Sequence, residues 1–383
     1  MKKNDFRFIL FSFMIWRTVL LAFVFFGSFF FLLNKDFLGG GPEQYLRNPY
    51  FWSWLNFDGE HYASIAYQGY LPLTYFYFPV FPLVTKFLAG ILGGGFKNVA
   101  LAGLFISNIS FLTALIGIWK LIKIDYKSDI AKIAILLLLI FPTSFYFGAF
   151  YTESFFLALT VWAFYAARRR RWLIAGLLGA VLTATRITGL AFFPAVAYEI
   201  WRAKKEKPKL NLLLPILSLI FIPFGLGIYM LYLNKATGNP LEFFSSITIF
   251  GQQRSTNLVL LPQVFYRYFF KIIPNLTFSY FPVVFSTFLE IITALVFLLL
   301  LAWSFFKLRL SYSLYFLAGY LIPPLSGSFS SFPRYVIILF PAFLLMAILS
   351  KRLPKIAKAV IFLLLFATLA VATMLFVRGY WVS

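Results

Sequence analysis

The sequence predicts an all-α polytopic membrane protein, and three observations carry that reading. The 383 residues are 62% hydrophobic, only 12% charged, and include 52 phenylalanines, too little polar surface to cover a soluble globule. Apolar runs of about 18 residues or more recur along the chain, each long enough to cross a hydrocarbon core as a helix. Between those runs lie short loops that hold most of the Lys and Arg. A net charge of +22 in such loops sets membrane orientation rather than marking a nucleic-acid partner. Absence of cysteine excludes disulfides, thiol catalysis and thiolate metal sites.

Each element follows from the placement of the basic clusters. The N-terminus, Lys120 to Lys132, Arg168 to Arg171, Arg202 to Lys209, Lys307 to Arg309, and Lys351 to Lys358 are assigned to the cytoplasm. An even number of crossings between neighbouring clusters gives spans at roughly 8–33, 98–119, 130–148, 152–167, 172–184, 188–201, 210–233, 283–306, 312–327, 332–350 and 356–377. The first is read as a retained anchor, because Phe8 to Leu33 has no small-residue cleavage site. Residues 172–201 are too long for one ordinary span and carry Thr185-Arg186-Ile187-Thr188-Gly189 at their centre, so two short helices are expected to meet near Arg186. Residues 78–95 contain Pro79, Pro82 and Lys86 and close on Gly93-Gly94-Gly95, which suits an amphipathic helix at the outer interface better than a span. The expectation is one membrane domain over residues 1–383 with about eleven transmembrane helices. It is an integral membrane protein with its N-terminus in the cytoplasm, its C-terminus outside, and two outward loops, 34–97 and 234–282.

The acidic residues are few enough to search exhaustively. Of twelve Asp and Glu, Glu290 falls inside a span, where a carboxyl group is expensive and suggests function. Asp58 and Glu60 share a short stretch with His61, the sole histidine, enclosed by Trp52, Trp54, Phe57, Tyr62 and Tyr70. On the same predicted outer face, Glu153 begins one span, Arg186 sits at the tip of the short hairpin, and Arg334 begins another span. Arginines are costly against lipid, so these are expected to face a cavity or an anionic ligand. Asp58 also suits a helix cap, and Asp58, Glu60 and His61 are chemically competent metal ligands.

The order Phe57-Asp58-Gly59-Glu60-His61-Tyr62, Gly69-Tyr70, Tyr77-Phe78-Pro79-Val80-Phe81-Pro82-Leu83, Tyr151-Thr152-Glu153-Ser154, Thr185-Arg186-Ile187-Thr188-Gly189 and Arg334-Tyr335 ahead of Phe340-Pro341 resembles a known family. This is the GT-C-fold integral-membrane glycosyltransferases, and within them the phosphatidylinositol-glycan class V (PIG-V) type mannosyltransferases and their prokaryotic relatives. The resemblance covers about residues 10 to 350. It departs at Phe57, where the family usually has Trp, and says little about the last span or the 234–282 loop.

The resemblance implies an inverting transferase with an extracytoplasmic active site. It would move a sugar, typically mannose, from a polyprenyl- or dolichyl-phosphate donor to a lipid, glycan or protein acceptor, without a cofactor or metal. Asp58 is then the general base, its pKa raised by burial among aromatic rings, with Glu60 in support. Arg186, Arg334 and, in the second loop, Arg254 are the candidate phosphate-binding groups; His61, Glu153 and Tyr62 are supporting residues. The rival class is a transporter or lipid flippase, which places its charged groups near the bilayer midplane between inverted repeats; no repeat is visible in this sequence.

Overall fold

A computed structural model describes residues 1–246 and 254–382, and every regular element among them is helical. We number the principal helices α1 (Lys3–Phe30), α2 (Gly41–Arg47), α3 (Asp58–Gln68), α4 (Val80–Ile91), α5 (Phe96–Ile122), α6 (Ser128–Leu139), α7 (Glu153–Arg168) and α8 (Trp172–Thr185). There follow α9 (Phe192–Glu206), α10 (Leu213–Thr237), α11 (Leu261–Arg267), α12 (Phe281–Lys307), α13 (Leu310–Leu321), α14 (Phe332–Val336), α15 (Phe340–Ser350) and α16 (Lys355–Val377). Among the described residues α1, α5, α10, α12 and α16 are long and apolar enough to cross a membrane; α4, α8 and α15 are shorter apolar helices. The protein is an integral membrane protein.

Each predicted span coincides with a helix or a helix pair, and the differences have local causes. The 130–148 span stops as α6 at Leu139 and resumes as a 3-10 turn, Ser144–Gly148, because Pro142 cannot continue an α-helical ladder. The 332–350 span is two helices, with Pro341 at the start of the second. Residues 172–201 form α8 and α9 with Arg186 extended between them, as the sequence suggested. The predicted interfacial helix is α4. It ends at three glycines, all with positive φ, and Asn98 donates to the Leu92 and Gly94 carbonyls to close the turn into α5.

The tightest helix contact is a seam of small residues, the means by which membrane helices approach closely where no hydrophobic drive separates helix from lipid. Gly176 and Gly179 of α8 lie against Ser218 and Ile222 of α10, and Gly225 of α10 lies against Ala180. The Thr183 hydroxyl donates to the Ile222 carbonyl at 2.6 Å and accepts from the Leu226 amide at 3.3 Å, so it inserts into the α10 ladder just after Pro223. A Cβ on Gly225 would fall 1.8 Å from the Ala180 carbonyl oxygen, whereas one on Gly227 meets nothing within 4 Å. Gly225→Leu is therefore expected to lose monodisperse protein on size exclusion in detergent, whereas Gly227→Leu elutes as the parent does.

Helix α7 gives the molecule its two poles. It begins at Glu153 and, 16 residues long and about 23 Å from end to end, ends at Arg168. At that far end Arg168 pairs with Asp125 and Arg309 with Glu199, a network that ties the basic loops together. The first residue of α7 belongs to the other pole.

Candidate active site

Helix α3 starts at a strained turn. Phe57 has φ +58° and ψ −122°, a conformation that a non-glycine residue keeps only where its surroundings over-determine it. Buried Asn56 provides much of that constraint. Its side-chain amide donates to the Phe376 carbonyl at 2.9 Å, its Oδ1 accepts from the Gly39 amide, and its backbone carbonyl accepts from the Tyr151 hydroxyl. The Phe57 ring packs on Phe37 and Trp381. No side chain caps this helix. The Asp58 carboxylate, a cap on one reading of the sequence, is committed elsewhere.

Asp58 Oδ2 accepts from Arg334 Nη1 at 2.5 Å, and Oδ1 accepts from the Tyr77 hydroxyl at 3.0 Å. Arg334 Nε lies 3.3 Å from Glu153 Oε1, and that oxygen also accepts from Arg186 Nη1 at 2.7 Å. Asp58, Arg334, Glu153 and Arg186 thus form one chain of alternating charge assembled from four distant segments. Glu153 and Arg334 are almost fully buried, and Glu153 Oε2 lacks a hydrogen-bond partner. The Tyr335 ring is the common floor. Guanidinium carbons of Arg186, Arg334 and Arg254 lie 5.1, 5.3 and 5.9 Å from its centroid, within cation–π range.

Arg334 has its own strained neighbour, since Ser331 has φ +66° three residues earlier. The 325–331 segment is strapped to the second large loop through its backbone. Amides of Ser255 and Val259 donate to the carbonyls of Ser326 and Leu325, while Arg254 and Arg267 donate to the carbonyls of Ser330 and Gly327. Part of that loop, residues 247–253, lies outside the described residues.

These groups open onto a cavity of about 310 Å³. Asp58, Tyr62, Tyr77, Arg186, Arg254 and Arg334 line its polar side; Phe76, Phe78, Phe243, Leu258, Ile322 and Leu325 line the rest. The size falls within the range of small-ligand sites, about 300–1,000 Å³. The lining is amphipathic.

Burial pushes the Asp58 carboxyl upward, but the Arg334 guanidinium, the His61 charge and the Tyr77 hydroxyl outweigh it and hold Asp58 below the usual carboxylate range. The expectation of a raised pKa is therefore corrected: the sequence shows the enclosing aromatics, not the arginine brought from 276 positions away. Tyr77, next to that carboxylate and buried, is raised well above its ordinary value.

The other candidates separate. Glu60 is exposed and does not line the cavity. His61 stacks on Tyr77 with centroids 5.1 Å apart. Tyr62 is buried against Tyr77 and lines the cavity; Glu153 lies behind the lining, bridging two arginines. Asp58, Glu60 and His61 do not converge, and no group of three or more His, Asp or Glu side chains does so among the described residues. Sequence reasoning passed over Tyr335 as a site residue, although it stands in a motif that carried the resemblance, and weighed Tyr77 only as a sugar or interface contact.

No family model matches the chain. Over 146 residues the chain is 33% identical to GPI mannosyltransferase 2 of Cryptococcus neoformans, in each of two strains. That alignment takes in 36% of this chain and 34% of the relative, so the chain matches about a third of the length of these curated relatives. ArnT from Cupriavidus metallidurans, in a crystal structure bound to undecaprenyl phosphate, matches over 96% of this chain and 76% of its own, with a TM-score of 0.53 at 16% identity. Its apo structure gives 0.51 with the same coverage. The chain is a GT-C-fold membrane protein. In this GT-C framework the charged chain and its cavity occupy the pole away from the basic loops, beside the first and second large loops.

Proposed function

We propose that the protein is an inverting glycosyltransferase that moves a sugar from a polyprenyl- or dolichyl-phosphate donor to an acceptor hydroxyl on a lipid, glycan or protein. The likeness to GPI mannosyltransferase 2 favours mannose as the sugar. One observation carries the reading. Three guanidinium groups, of Arg186, Arg254 and Arg334, meet only two carboxylates, of Asp58 and Glu153, around a cavity whose other side is largely apolar. The one positive charge in excess matches the single charge of a phosphodiester, and the apolar wall suits the first prenyl units. The ligand of the ArnT structure is itself a polyprenyl phosphate. The positive-inside rule puts the basic pole in the cytoplasm, which makes the site extracytoplasmic.

The reaction follows from the same pairings. The acceptor oxygen attacks the anomeric carbon opposite the phosphate and the sugar–phosphate bond breaks, its electron pair going to the phosphate oxygen. The acceptor proton goes to Asp58. Lipid phosphate thereby gains one negative charge while Asp58 loses one. Arg334, released from Asp58, is free to stabilise the phosphate. Base and leaving group are coupled through one guanidinium group, and the charge in the cavity stays balanced on both sides of the transfer.

This sharing has a signature in pH. A carboxylate held below its ordinary pKa of about 3.9 keeps its ionised, paired form above that value and loses it as the pH falls through the lower one. The acid limb of kcat/KM, which reports the free enzyme, is expected below about pH 4. In the donor complex phosphate competes for Arg334, so the acid limb of kcat is expected at higher pH. Coincident limbs count against the sharing.

Purified protein in lipid vesicles, incubated with labelled polyprenyl-phosphate-mannose and a panel of lipid, glycan and protein acceptors, is expected to release lipid phosphate and yield an inverted glycoside. Donor left intact with every acceptor, together with no affinity for polyprenyl phosphate, overturns the reading.

A further inference from the structure

Glu290 lies ten residues into α12, buried, and outside both the cavity lining and the charged chain. A carboxyl group at such a place in a membrane helix is expensive and is kept where its partners repay the desolvation. Its partners here are informative. Glu290 Oε2 accepts from the Tyr268 hydroxyl at 2.6 Å, and the Tyr268 ring packs on Phe329 with centroids 5.1 Å apart. Tyr268 belongs to the second large loop just after α11, and Phe329 packs in turn on Phe332 with centroids 5.3 Å apart. Ser331 is the positive-φ residue three places before Arg334. One carboxyl group on a rigid helix therefore holds Tyr268, whose ring supports the segment that carries Ser331 and Arg334.

The strain locates the effect. A left-handed serine is strained and persists only where its surroundings fix it. Loosening Phe329 lets Phe332, Pro333 and Arg334 turn together, and Arg334 must meet Asp58 and Glu153 at once. Arg254 is held in the same way, since it donates to the Ser330 carbonyl. We infer that Glu290 is a positioning residue that sets Arg334 against Asp58 and Arg254 over the cavity by clamping Tyr268 beneath Phe329. It does not touch the reacting groups. This rests on the lipid-phosphate transfer proposed above.

Two variants separate geometry from charge and from stability. Glu290→Leu keeps the apolar helix face and removes the clamp. Glu290→Gln keeps a carbonyl acceptor and removes the charge. In full-length protein in nanodiscs, kcat with polyprenyl-phosphate-mannose and affinity for undecaprenyl phosphate are measured beside the thermal midpoint. Glu290→Leu is expected to lower kcat by about 10²-fold, the scale of a 1 Å misplacement, and to weaken undecaprenyl phosphate binding, while Glu290→Gln retains most of both. Should the Leu variant not fold, Tyr268→Phe removes one hydroxyl only and is expected to lower kcat roughly 5-fold, the equivalent of one hydrogen bond.

Wild-type kcat and affinity in whichever of the Leu and Phe variants folds, whatever its thermal midpoint, overturns the inference. So does a Gln variant as impaired as Leu, which makes the charge rather than the clamp decisive. A wild-type protein that neither consumes the donor nor binds undecaprenyl phosphate overturns instead the transfer reading. The two failures are thus distinct.

Discussion

Asp58→Asn is expected to cut sugar transfer by about 10²–10⁴-fold and to tighten, not weaken, binding of the lipid-phosphate product. The first part follows from losing the proton acceptor. The second follows from the charge count. Asparagine keeps the shape and an oxygen for the Tyr77 hydroxyl, yet it no longer neutralises Arg334, now paired at 2.5 Å with Asp58. The cavity gains one uncompensated positive charge, and undecaprenyl phosphate feels it. A simple misfolding defect lowers turnover and affinity together, so titration of the variant with undecaprenyl phosphate distinguishes the two. Loss of affinity in a folded Asn variant removes the shared-arginine scheme. Full turnover removes Asp58 as base.

Much of this architecture was legible in the sequence because membrane folding writes itself in long apolar runs and basic loops. The α8–α9 break at Arg186 and the glycine-closed end of α4 were readable for the same reason: a charged tip or a glycine run has few tolerable places in a bilayer. What the sequence did not contain was pairing. Asp58 looked like a carboxyl group in an aromatic enclosure, for which burial alone predicts a raised pKa. Its environment is set instead by Arg334, which shares no local pattern with it. Glu60 lies two residues from Asp58, yet a helix turns successive side chains by about 100°, so the same run that buries Asp58 exposes Glu60. Tyr335 was hidden differently, as one aromatic among many in a chain where aromatics also serve lipid contact. Three guanidinium groups converging on its ring distinguish it, and convergence exists only in three dimensions.

Arg334→Ala should be the most damaging single substitution at this site, because it strips partners from two carboxylates at once. Asp58 is left with Tyr77, and Glu153, whose Oε2 is already without a partner, is left with Arg186. Breaking a buried pair from one side costs about 3–5 kcal/mol, so the thermal midpoint in detergent is expected to fall together with transfer. Arg334→Lys tests geometry rather than charge. One ammonium group cannot present Nη1 to Asp58 and Nε to Glu153 on two edges of a plane while lying over Tyr146, Tyr151 and Tyr335. The Lys variant is therefore expected to fold but to lose most of its turnover. With the guanidinium gone, burial of Asp58 is opposed by less, and the acid limb of kcat/KM is expected to move up in pH relative to the parent. An unmoved limb in a folded Lys variant means that Arg334 does not set the proton affinity of Asp58. Removing both partners in Asp58→Asn/Arg334→Ala should cost less stability than the two single changes added together, since neither then strands a buried charge. Recovery of stability without recovery of transfer is the pattern expected of a pair that is required for chemistry and only incidentally for the fold.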